Sequence, residues 1–197
     1  MNFAFWRTLA VTTVTDPASA ARQIMAMEFP REVLWLALAL AVVLNTTIQA
    51  AINVVFPPVD GMLPGVGTGL GAYAAIVGGG LILTIISLHR VGRWMGGQGT
   101  FNEVMALMVW MQFLRVVVQA ASFVLLLTVP ILSALLALAA ALLGLYIFLH
   151  FIDQAHRLGS IWRAAGVLIV SVFAIAFVLF VLLSLAGAPI TGSAAYV

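Results

Sequence analysis

Three sets of residues in this chain have types and spacings that could do chemistry. The first is the run GRWMGGQGTFNEV at 92–104, the most polar and glycine-rich stretch in an otherwise apolar sequence. Its glycines and trailing threonine resemble a loop that cradles phosphate. A Walker-type loop, however, needs G-x-x-x-x-G-K-[ST], with a lysine reaching the phosphates and a strand leading in. Gly92 and Gly97 have the required separation, but Gln98 stands in place of the lysine and Gly99 displaces Thr100. A span-length apolar segment precedes the run instead of a strand. The run therefore reads as a connector. Gly92 can end one helix, and Gly96, Gly97 and Gly99 permit backbone angles closed to other residues. Thr100 and Glu103 form a capping box that opens the next helix, while Arg93 and Trp94 suit a membrane–water interface.

The second set is His89, His150, Asp153 and His156, all near the ends of apolar segments. Three imidazoles and a carboxylate could ligate zinc, yet the spacing is not diagnostic, and interfacial and capping roles account for them better. Asp153 is also placed to pair with Arg157 one turn on. No metal and no cofactor is expected.

The third set surrounds Arg115. It lies 12 residues beyond Glu103, so about 18 Å along a helix, near the middle of a hydrocarbon core about 30 Å thick. An unpaired arginine there costs at least about 2.5–3.5 kcal/mol. Gln112, Arg115 and Gln119 share one helical stripe, and Asn45 and Gln49 of an earlier segment lie at similar depth. Asn45 or Gln49 is expected to face this stripe and hydrogen-bond with it. Such a network either fixes helix packing or makes a polar cavity, an anion or lipid-headgroup site, or a proton-independent permeation path; packing is the preferred reading, because interhelical polar bonds are common in membranes.

These groups need elements to hold them, and composition says which. Of 197 residues, 64% are hydrophobic and 7% charged, where soluble domains carry roughly a quarter charged residues. The chain is therefore expected to be an integral membrane protein. It has no cysteine, which excludes disulfides, thiolate metal sites and thiol catalysis. A net charge of +2 is no nucleic-acid footprint, and no Ser-His-Asp set or paired catalytic carboxylates can be recognised. The fold class expected is all-α, a bundle of five transmembrane helices at about 33–55, 69–88, 102–128, 131–151 and 161–186, each near the 20 apolar residues a crossing needs. Residues 1–31 form a cytoplasmic or interfacial lead-in, 32–188 the membrane domain and 189–197 a short external tail. Thr128-Val129-Pro130 makes a tight hairpin.

Every basic residue is an arginine. Arg7, Arg22, Arg31, Arg90, Arg93, Arg157 and Arg163 fall on one side of a five-span chain, with Arg115 the exception. The positive-inside rule makes that side the cytoplasm, with the N-terminus inside and the C-terminus outside. Ala18-Ser19-Ala20 has the form of a signal cleavage site, but Arg7 interrupts the preceding apolar stretch, so cleavage is not expected. Asp16 and Pro17 start a short helix. Ala21, Ile24, Met25 and Phe29 form its apolar stripe, either lying in the headgroup layer or packed on the bundle. Gly67, Gly71, Ala75 and Gly79 form a small-residue ridge, either an internal helix seam or a dimer face, the seam being preferred for five helices in one chain.

GRWMGGQGTFNEVMALMVW resembles the central signature of bacterial members of the Yip-one (Ypt-interacting protein) family. TDPASAARQIMAMEFPREVLWLAL is similar to the family's lead-in, and the likeness runs from about Thr15 to Gly187. The resemblance implies a five-span membrane domain in the bacterial inner membrane. Eukaryotic relatives bind prenylated Rab GTPases through a longer N-terminal region with an Asp-Leu-Tyr-Gly-Pro motif. This chain lacks that motif, so no Rab-type GTPase is expected and no GTPase-contact residue is carried over. The resulting expectation is a non-enzymatic membrane protein whose partners are the lipid bilayer, a membrane protein or a second copy, and not nucleic acid. The alternatives are a small transporter, channel or lipid-translocating protein using the Arg115 stripe, or an accessory subunit of a larger inner-membrane complex.

Overall fold

The computed structural model describes residues 3–57 and 69–185. Among these there are seven helices and no strand. Two short helices come first, α1 (Phe3–Thr15) and α2 (Pro17–Met25). Five follow that are each long and apolar enough to cross a membrane: α3 (Arg31–Val55), α4 (Leu70–Trp94), α5 (Phe101–Thr128), α6 (Pro130–His156) and α7 (Ile161–Leu185). The all-α, five-span class read from the sequence is the class found.

Local signals explain the boundaries. Thr100 and Glu103 close a capping box at the start of α5, satisfying backbone donors that have no partner inside the helix. Val129 alone links α5 to α6, whose first residue is Pro130. At the other end of α6, Arg157 adopts a left-handed φ of 55° and Gly159 one of 65°, turning the chain into α7. Two spans run further than their hydropathy suggests, α4 to Trp94 and α6 to His156. Hydropathy falls where lipid tails end, whereas a helix continues into the headgroup layer until its backbone meets a stop. For α4 that stop is Met95 followed by Gly96 at φ 90°, not Gly92, which lies inside the helix.

The lead-in is more structured than its apolar stripe implies. Asp16 caps α2 by accepting from the Ser19 amide at 3.0 Å. Upstream, α1 is a helix despite its threonines, and the hydroxyls of Thr8, Thr12, Thr13 and Thr15 each donate to a carbonyl one turn back. Neither helix merely rests in the headgroups. Ala20, Ala21 and Ile24 are buried, α2 packs on α6 and α5, and the Arg22 guanidinium donates to Gln154 Oε1 at 3.0 Å. Trp6 stacks on Trp110 with centroids 5.7 Å apart, and Trp110 Nε1 donates to Thr13 Oγ1 at 3.0 Å.

The spans close into a ring in which α3 packs on α4 and α5, α5 on α6, α6 on α7, and α7 returns to α4, while α4 also reaches across to meet α5 and α6. Burial is one-sided. Buried positions are Leu34 to Asn45 on α3, Ile85 to Gly92 on α4, Val104 to Gln112 on α5, and Ala164 to Ser171 on α7. On α6 they run from Ile147 to His156, with Ser133 apart. All but Ser133 lie within about 20 Å of the arginine-bearing helix ends at 1.5 Å per residue. In the far half, leucines of α6 such as Leu135, Leu138 and Leu142 are exposed, which lipid tolerates because its tails are as apolar as leucine.

The α2 seam yields a test. Ala21 is fully buried, so Ala21→Leu should overpack it by about 1–3 kcal/mol. Limited proteolysis of the detergent-solubilised protein should then cut near residues 16–30 faster, while the five spans stay protected.

Candidate functional site

The connector 92–104 closes over a buried histidine. His156 is 1% exposed, and three glycines leave room for it. A Cβ added at Gly92 would fall on the imidazole. At Gly97 it would come within 2.7 Å of His156 Cβ, and at Gly99 within 2.6 Å of the Ala155 carbonyl oxygen. The Gln98 amide donates to the His156 carbonyl at 2.9 Å, and the Gly97 amide to that of Gly92 at 2.8 Å. His156 Nδ1 lies 3.2 Å from the Ile152 carbonyl, while Nε2 is buried without a hydrogen-bond partner. The glycines at 92, 97 and 99 thus serve close approach; only Gly96 uses a positive φ.

Charged groups around this knot are spent on holding it. Glu103 accepts from the Thr100 amide at 2.7 Å and from the Thr100 hydroxyl at 2.8 Å, and it pairs with the Arg157 guanidinium. Asp153 does not pair with Arg157, as its spacing suggested. It accepts from the Ser160 amide at 2.9 Å and from Gln154 Nε2 at 3.0 Å. The left-handed turn at Arg157 swings that side chain away from its own helix and onto α5. An ion pair across two helix ends results, which sequence spacing within one helix could not reveal.

Neither of the other candidate histidines is hydrogen-bonded into this knot. His89 meets Phe101 edge-on at 5.8 Å, and its Nδ1 is buried without a partner. His150 packs on Tyr146 at 4.6 Å. Among the described residues no three His, Asp or Glu side chains assemble a metal site. His156 is also no interfacial residue, since the whole connector lies over it. Arg93 and Trp94 are exposed at the end of α4.

The mid-span residues divide. Asn45 Nδ2 donates to Gln119 Oε1 at 2.7 Å, and Tyr73 donates to Asn45 Oδ1 at 2.9 Å, joining α5, α3 and α4 in one chain of bonds. Gln49 instead donates to Asn53 on its own helix at 2.9 Å. Gln112 is buried and Arg115 exposed, and neither side chain has a hydrogen-bond or ion-pair partner among the described residues. Tyr73 was missed because a tyrosine near the end of an apolar span reads as an interface anchor.

The small-residue ridge is not an internal seam. Ala75 is exposed, and Cβ atoms at Gly71 and Gly79 would meet nothing within 4 Å. Only Gly78, one position away, faces a neighbour, Val42 of α3 at 3.7 Å. A spacing of four selects a helix face but not what covers it. Gly67 lies outside the described residues.

The cage makes a double-mutant prediction. Gly92→Ala should lower the thermal midpoint in detergent, by about 1–3 kcal/mol or more of overpacking. In a His156→Ala background the same change should cost far less, giving a coupling of at least about 1 kcal/mol. Additive losses would contradict the contact. Separately, Thr100→Ala should cost about 1 kcal/mol through the lost cap, read by the same melting curve.

Sequence comparison agrees with this architecture. The family model described as Yip1 domain matches residues 11–183, which takes in the end of α1, α2 to α6 whole and most of α7. No curated protein and no solved structure matches the chain. With five membrane-length helices and a family match along most of its length, the chain belongs to the Yip1 domain family of multi-pass membrane proteins.

Proposed function

We propose that this protein is a non-enzymatic membrane component that acts through contacts with the bilayer and with a membrane-protein partner or a second copy of itself. One observation carries the reading: His156, Glu103 and Asp153, which could do acid–base or metal chemistry at the arginine-bearing end, are engaged in holding the fold. His156 is sealed beneath the connector, Glu103 is shared between Thr100 and Arg157, and Asp153 caps the start of α7. A catalytic base needs access to its substrate, and these groups offer none. What the molecule presents outward is apolar helix surface rimmed by Trp94 at 79% and Trp162 at 87% exposure. Tryptophans at this level suit the headgroup layer.

The same reading places the arginine-bearing end in the cytoplasm of a bacterial cell, with the N-terminus inside, the C-terminus outside and the surrounding bilayer the inner membrane. Arginine asymmetry supports it, since translocation disfavours loops rich in basic residues. The natural absence of cysteine makes the test direct. In intact cells, Gln23→Cys and Gln98→Cys should resist a membrane-impermeant maleimide and react only after lysis, whereas Ser193→Cys should react in both. Labelling of Gln98→Cys from outside would reverse the topology. After mild extraction, native mass measurement should find a complex larger than one chain; a lone chain would contradict the partner contact.

A further inference from the structure

One stripe of α5 carries unspent polar groups at mid-membrane. Arg115 lies three residues beyond Gln112 and seven beyond Met108, so all three project from nearly the same side of the helix. Met108 and Gln112 are buried, which marks this side as the one turned into the ring. The opposite side is marked by Trp110, covered by α1, and by Val117 and Val124, which are exposed. Arg115 comes next on the stripe and is exposed, while Gln119 one turn further on is bonded to Asn45 of α3. Arg115 thus stands exposed between two residues of the stripe that face the bundle.

The polar balance at this level is one-sided. The Tyr73–Asn45–Gln119 chain uses the Gln119 carbonyl oxygen as its terminal acceptor and leaves Gln119 Nε2 free to donate. Gln112 is a buried residue, and its side-chain amide makes no hydrogen bond among the described residues. The Arg115 guanidinium adds its donors and a full positive charge. Of the described carboxylates, Glu103 pairs with Arg157, Asp16 and Asp153 cap helices, and Glu28 and Glu32 lie by the start of α3. Surplus N–H groups around an unneutralised guanidinium in a low-dielectric setting suit a tetrahedral oxyanion, which arginine binds with two parallel hydrogen bonds.

We propose that Arg115, Gln112 and Gln119 form a site for a phosphate group, at the exposed face of α5 where Arg115 stands. The shared chemistry is a phosphate oxyanion, carried either by a phospholipid headgroup or by free phosphate. It goes beyond the partner role proposed above and does not depend on it.

The test uses the full chain reconstituted in phosphatidylcholine vesicles with or without phosphatidylglycerol, read by native mass spectrometry for retained lipid. A parallel calorimetric titration uses inorganic phosphate. Wild type should retain one phosphatidylglycerol or bind phosphate, the arm that responds identifying the source. Arg115→Gln should weaken that binding about tenfold or more, with Arg115→Lys intermediate. Gln112→Leu, which keeps the charge and a similar volume, should weaken it less and guards against an Arg115 variant that fails to fold. Binding unchanged in all three variants would overturn the site. So would binding absent from wild type that appears in Asp60→Asn, since the α3–α4 connector would then already neutralise the guanidinium.

Discussion

The seating of His156 beneath Gly92, Gly97 and Gly99 is the contact on which the arginine-bearing half depends. It is where the end of α6, the end of α4 and the entry to α5 meet without side chains between them. Because the glycines lack Cβ atoms, the connector backbone can lie against the imidazole and lend an amide to the His156 carbonyl. That closeness brings Arg157 to Glu103 and sets the turn from which Asp153 caps α7. Four helix ends are thereby fixed relative to one another.

The far half obeys a different physics. With lipid as solvent there is little gain from burying leucine against leucine, so contact there relies on specific bonds. Ser133 donates to the Ser122 carbonyl at 2.9 Å across the α5–α6 hairpin, and Tyr73, Asn45 and Gln119 tie α4, α3 and α5. Such bonds contribute about 0.6 kcal/mol each in membranes, enough to hold neighbours together but not to fill the centre. A ring packed at one end and clasped at the other exposes Arg115 at the boundary between the two regimes.

Much of this was legible in the sequence, for identifiable reasons. Apolar length selects spans because the bilayer imposes one dimension, and the Thr100–Glu103 box and the Asp16–Pro17 entry are short-range signals that tertiary packing leaves intact. The connector's glycines were read as turn formers, yet three of them exist for His156, 57 to 64 positions later in the chain; nothing local encodes that. Asp153 and Arg157 have ideal spacing for a pair, but Arg157 is itself the left-handed residue that ends α6. The Gly71–Ala75–Gly79 ridge failed as a seam because periodicity identifies a face without identifying its neighbour. The threonine-rich α1 is diluted in hydropathy, and the cover that Trp110 gives it comes from a residue about a hundred positions later, which nothing local encodes.

Distances across the ring, measured by pulsed electron resonance on nitroxide pairs in nanodiscs, test the one-sided packing most directly. One pair joins α4 to α6 at the arginine-bearing end, Arg93→Cys with Gln154→Cys; the other joins the same helices in the far half, Ala75→Cys with Ala137→Cys. A short, narrow distribution for the first and a longer, broader one for the second is the expected result. Equally short and narrow distributions at both ends would mean a ring filled throughout, and would contradict the architecture described here.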